Sequence, residues 1–368
     1  ASNNAFGYNA LGANTTGASN VAMGHNALDA NTTASNNTAI GYASMTANTT
    51  GALNVAVGAE ALDANTEGSY LAAFGYGALG ANTTAGGNSA FGYNALIANT
   101  TGANNEAFGF DALFSNTTGA SNAAHGSYAL YTNTTGGQNA AFGGTALRYS
   151  TTASHNTALG YQALNATTTG ASNVAVGSTA LDANTTGATN TAVGYSALGA
   201  NTTASNVVAV GQGALGANTT AANGVACGRH ALLSNTTGAD NTAMGQSCLD
   251  ANTTGGSNVG IGADTLSGNT TASNITAVGS AALYANTTGT PNTAVGRTAL
   301  YTNTTGADLV GIGYEALRNN TTGSYNSAVG NNALDANTTA NNNTAFGLST
   351  LTSCTTGYSN VGVGNYAL

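Results

Sequence analysis

The chain has 368 residues, among them 52 Gly, one Pro and no Trp, with 13 acidic residues against four basic ones and a net charge of -9. Only 5% of residues are charged, too few basic groups to line a phosphate backbone or an anionic membrane surface. The 42% hydrophobic content, evenly spread, argues against a solvated linker, and no apolar run is long enough to span a bilayer.

The opening residues, ASNNAFGYNA, carry neither a basic start nor an apolar core, so no signal peptide is visible in them. A glycine then sets the order of everything that follows. Gly7, Gly24, Gly41 and Gly58 begin a series that runs to Gly364 in steps of 17, giving 22 copies with no insertion or deletion. One copy, Ser172 to Ala188, reads SNVAVGSTALDANTTGA. Helical-pair repeats need about 33 residues or more, whereas 17 suit one turn of a β-solenoid. The expectation is an all-β chain, a single uncapped solenoid array over residues 1–368, whose turns stack at about 4.8 Å.

Within each copy the residue before the Gly is large and apolar, as in Phe6, Met23, Ile40, Val57 and Phe74, with His125 the clear polar exception. The residue before that is always Ala or Gly. Four after the Gly comes Leu, except at Met45, and three after it is usually Ala, as in Ala10, Ala27 and Ala61. Of 17 charged residues, 15 fall one, two, five or twelve positions after the Gly, and those positions are expected to face water. Neighbours on a strand point to opposite faces. With Met23 directed into the coil, Ala22 would point out, at a place that is never large or charged. That reading calls for two buried faces, one inside the coil and one against another chain. The alternative is a bend that turns neighbours such as Ala27 and Leu28 inward together.

The N-T-T segment, then Gly or Ala, closes each turn. Its first Thr, as in Thr15 and Thr32, fills all 21 complete places, and its second gives way only to Glu67. Asn and Thr suit corners and stack into ladders. N-T-T is also a formal glycosylation acceptor in 17 of those places, but a corner ladder is expected to occupy the Asn.

The stretch NVAVGSTAL, Asn173 to Leu181, resembles the repeat of YadA-like trimeric adhesin heads, and NTAVGYSALGANTT, Asn190 to Thr203, resembles repeat tracts of phage tail fibres. The likeness implies a left-handed parallel β-roll in a homotrimer. The adhesin turn has 14 residues and this one has three more, around N-T-T.

No catalytic, cofactor-binding or metal-binding residue is expected, and no cofactor. His25, His125, His155 and His230 lie in different copies at different places in the repeat, and Cys227, Cys248 and Cys354 form no ligand spacing. Gly260-Ile261-Gly262 is repeat geometry, not a phosphate loop. Tyrosines directly after the Gly, such as Tyr8, Tyr42, Tyr76, Tyr93, Tyr161, Tyr195 and Tyr314, could offer carbohydrate an aromatic stripe or cover neighbouring coils. The sequence therefore points to a non-enzymatic structural or adhesive rod, the shaft or head of an extracellular or virion-surface attachment fibre. It would self-associate and bind a host-surface or carbohydrate receptor, with no nucleic acid and no membrane insertion. A self-assembling extracellular filament and an ice-binding solenoid are the alternatives.

Overall fold

A computed structural model describes residues 2–368. The chain divides into two compact units, Ala1–Thr186 and Gly187–Leu368. The first carries strands β1 (Asn4–Phe6) to β11 (Val174–Val176), and the second β12 (Thr191–Val193) to β22 (Val361–Val363). Each unit is a parallel β-solenoid with one short strand per coil and, among the described residues, no helix.

The register is fixed at one repeat. Ala22 pairs with Ala39 and Met23 with Ile40 in the first unit, and Ala209 with Ala226 in the second. The Gly41 amide donates to the Met23 carbonyl at 2.8 Å, and the Thr38 amide to the Asn54 carbonyl at 2.9 Å. An inserted residue would put every later side chain on the wrong face, which is why a strict period builds this structure.

The interior differs from the sequence expectation in one respect. In the strands the small middle residue points in and the large apolar residue points out. Ala22 is buried at 1% exposure and Met23 is exposed at 49%. The reason is space. The Leu column (Leu28, Leu62, Leu79) already fills the coil. At Gly311, where the alanine is missing, an added Cβ would lie 3.1 Å from Leu300 Cγ. Nothing larger than alanine fits opposite those leucines.

Ala27 and Leu28 are both fully buried. Here the bend alternative holds, because Asn26 (φ 59°) and Leu28 (φ 52°) are left-handed and turn both side chains inward. Left-handed backbone is unfavourable for a residue with a Cβ, by about 1 kcal/mol or more. The coil sustains it because each such residue is held by its neighbours; the Leu28 amide donates to the Ser44 carbonyl at 3.0 Å.

Two columns of asparagine complete the core. In the N-T-T column, Asn31 donates through Nδ2 to Asn14 Oδ1 at 2.9 Å and to the Ala34 carbonyl at 3.1 Å. In a second column, thirteen after the Gly, Asn20 Oδ1 accepts the Asn37 amide at 2.9 Å while its Nδ2 donates to the same Ala34 carbonyl at 2.9 Å. Polar groups hidden from water must be paired, and here each coil pairs the next. The first Thr adds a third ladder, with Thr49 Oγ1 donating to the Thr66 carbonyl at 3.1 Å.

Candidate interaction surface

The outward strand positions form two columns on one sheet face. Beside the large apolar column runs a column of mostly Val, Thr, Ser and Ala, including Val21, Thr38, Val55 and Ser89. In the first unit the large column contains a run of stacked rings. Phe74 and Phe91 lie 4.6 Å apart between centroids and 8° from parallel, and Phe91 and Phe108 lie 4.7 Å and 5°. His125 continues the run at 4.6 Å from Phe108 and 4.7 Å from Phe142. Its Nε2 lies 3.6 Å from Glu106 Oε2, so the one acidic residue of the strands stands beside the one imidazole.

In the second unit the same column carries Val193, Val210, Cys227, Met244, Ile261, Val295 and Ile312, all at least about one third exposed. An apolar surface this regular is unusual for a chain in water on its own. Strand parity called for one face inside the coil and one against another chain, with Met23 inside and Ala22 outside; the structure reverses those two residues.

A separate ring column follows the Gly. Tyr8, His25 and Tyr42 stack at 5.2 and 5.6 Å, and Tyr76, Tyr93 and Phe110 at 5.4 and 5.3 Å. Because these rings cover one another, their faces are occupied and their edges and hydroxyls face outward. A sugar platform needs free ring faces, so the geometry of these two runs fits the covering role, whereas Tyr161 and Tyr195 are more than half exposed and lie in no ring stack among the described residues. Sequence reasoning missed a further cluster, in which Arg148 lies against Tyr128, Tyr131 and Tyr149. Its members come from three places in the repeat, and only the coil's geometry gathers them.

The acidic residues are scattered over the outer turns. Glu60, Asp63 and Ile97 line a notch left by Gly77 and Gly80. Burial chiefly, and the nearby Glu60 charge, hold the Asp63 carboxyl above its ordinary pKa, and a hydrogen bond with Glu60 raises the Tyr76 hydroxyl. Burial likewise raises Asp111 and Asp182. Among the described residues, no group of three or more His, Cys, Asp and Glu is placed to hold a metal ion. His25 and His125 belong to ring stacks, while His155 and His230 occupy left-handed turn positions with φ of 62° and 59°.

The N-T-T acceptor asparagines are committed. Asn31, Asn48, Asn82 and Asn99 are fully buried with Nδ2 donating into the ladder. A glycan on any of them would remove a buried donor and force the coil open.

The cysteines differ sharply. Cys248 is fully buried beside Leu249, and burial pushes its thiol up to about 12, whereas Cys227 stands exposed in the apolar column. A thiol reagent at pH 8 is expected to spare Cys248 until the chain is denatured. Peptide mapping after brief labelling checks this; early label on Cys248 would contradict the packing described.

The geometry defines the class: a β-solenoid repeat protein whose asparagine ladders and Leu column lie inside and whose large apolar strand side chains lie outside. Compared with known proteins, the chain matches no family model and no curated sequence.

Proposed function

We propose that the chain is a structural, adhesive segment of an extracellular or virion-surface attachment fibre. In this reading three copies pack side by side as left-handed rolls. The observation that carries it is the outward column of large apolar residues. Its spacing is the chain's own repeat, and another copy of the same chain presents that spacing over its full length. A partner of different period would fall out of step within a few coils. The role is mechanical, with backbone ladders and stacked side chains resisting bending, and it needs no catalytic group.

Light scattering with electron microscopy of the same sample tests the reading. The wild-type chain is expected at the mass of three chains. The double variant Val193→Lys, Ile261→Lys is expected to run as a monomer with an unchanged β circular-dichroism spectrum, since both positions are exposed within one chain. A monomeric wild type overturns the proposal, and so does a variant that still assembles.

A second observation favours another reading. The second Thr of N-T-T forms an exposed column through Thr16, Thr33, Thr50, Thr84 and Thr101, broken in the first unit only by Glu67. A regular hydroxyl-and-methyl ladder of this kind could order water, which makes an ice-binding solenoid the alternative. Inhibition of ice recrystallisation by a monomeric protein would select it.

A further inference from the structure

We propose that the aromatic cluster around Arg148 binds the carboxylate of an acidic glycan, a sialic or uronic acid residue. The inference goes beyond the assembly reading, because every group involved lies in the first unit of a single chain.

Arg148 is the one arginine among the described residues that lies against more than one ring; Arg229, like it, has no ion pair. Arg318 pairs with Glu315 at 3.3 Å, and Arg297 lies over one ring, Tyr314, at 5.6 Å. The Arg148 guanidinium carbon lies 5.1 Å from the Tyr128 centroid, 5.2 Å from Tyr149 and 5.9 Å from Tyr131. Tyr131 is itself stacked on Phe114 at 5.1 Å, and Tyr128 meets Tyr131 edge-on at 5.5 Å. The cation is thus lodged in a braced group of rings.

Guanidinium groups favour carboxylates, which their planar fork meets with two parallel hydrogen bonds. In a chain of net charge -9 an acidic partner would be easy to supply. Yet among the described residues no carboxylate forms an ion pair with Arg148; the two ion pairs are His125–Glu106 and Arg318–Glu315. Its Nε is buried without a hydrogen-bond partner. The rings interact with the charge through their faces, which leaves the in-plane N–H groups without acceptors from the chain. The buried Nε is out of reach of an outside ligand, so a carboxylate from solvent would pair with the two terminal Nη groups.

The surroundings select the rest of the ligand. Tyr149 is 44% exposed beside the guanidinium and offers a ring to the C–H face of a sugar. The tyrosine hydroxyls can exchange hydrogen bonds with sugar hydroxyls. Such a site would take the end of a glycan chain, and the affinity of one site would be modest.

The test is titration with 3′-sialyllactose, followed by calorimetry and saturation-transfer NMR, with lactose as the neutral control. Sialyllactose is expected to bind and lactose not to bind at the same concentration. Arg148→Gln is expected to lower the affinity roughly tenfold or more, as loss of a charge-assisted pair requires. Arg297→Gln should leave it unchanged, and added salt should weaken it. Arg297 is exposed and Arg148 half-buried, and circular dichroism reports whether each variant keeps its fold. Equal binding of lactose, full binding by Arg148→Gln, or no saturation transfer at about 10 mM ligand would overturn the proposal. Tighter binding of a dipeptide carboxylate than of sialyllactose would overturn the glycan assignment. None of these outcomes depends on how many chains assemble, so the fibre proposal stands or falls separately.

Discussion

Asn252→Asp is expected to destabilise the second unit by roughly 4 kcal/mol or more at pH 7, the scale for an unpaired charge placed in the core. Asn252 is fully buried. Its Nδ2 donates to Asn235 Oδ1 at 2.8 Å and to the Gly255 carbonyl at 2.9 Å, and its Oδ1 accepts from Asn269 at 2.8 Å. The substitution keeps the shape and replaces a double donor by an oxygen facing two acceptors. Burial and those acceptors hold the new carboxyl protonated in the folded state, so its folded pKa lies above the unfolded value of about 3.9. The folded chain then binds the proton more tightly. The penalty is least below the unfolded pKa and grows as pH rises toward the folded one. Urea denaturation at pH 4 and pH 7 measures this, with wild type as reference for the general effect of pH. A variant equally stable relative to wild type at both values would mean that the amide ladder does not carry the weight assigned to it. Asn252→Ala should cost less, about 2 kcal/mol, because it leaves unpaired groups but adds no charge.

Gly245→Ala is expected to cost about 3 kcal/mol or more, combining unfavourable backbone with overpacking. Gly245 has φ of 143°, and a Cβ there would meet the carbonyl of Gly262 in the next coil. The Gly262 amide donates to the Met244 carbonyl at 2.7 Å, so the coils cannot part there without losing strand pairing. Gly224→Ala is the control, because its φ lies outside the left-handed region and an added Cβ would make only ordinary contacts, 3.6 Å from Leu215 Cδ1 and 3.9 Å from the Asn241 carbonyl. The expected result is a large loss of denaturation midpoint for the first substitution and little change for the second. Equal effects would remove the distinction between a glycine needed for its backbone and one that is interchangeable.

The period, the parallel register and the all-β class were readable because a strict 17-residue spacing leaves few other structures. The buried Leu column and the N-T-T ladder were readable for the same reason: unchanging residues at one offset imply an unchanging environment. The direction of the strand side chains was not. Size alone suggested that Met23 lies inside and Ala22 outside, but the space opposite Leu28 decides the matter, and that space depends on the left-handed turns at Asn26 and Leu28. Nothing in an Asn-Ala-Leu sequence announces two such residues. The second asparagine ladder was hidden by its substitutions, since Leu71, Val207, Ile275 and Leu309 take its place in some coils. Those coils keep one half of the arrangement, with the Leu71 amide still donating to Asn54 Oδ1 at 3.0 Å. The Arg148 cluster was out of reach because its rings come from different offsets.

The asparagine ladder has a consequence for how such a chain can change over generations. Each coil takes its geometry from its immediate neighbours, and stability in such arrays is close to a sum of local terms. A gene that gains or loses one whole repeat by recombination therefore yields a chain in which every contact still finds its counterpart. A change of any other length interrupts three hydrogen-bonded columns at once. Length is accordingly free to vary in whole repeats under selection, while the glycine, the small residue two before it and the leucine four after it are not.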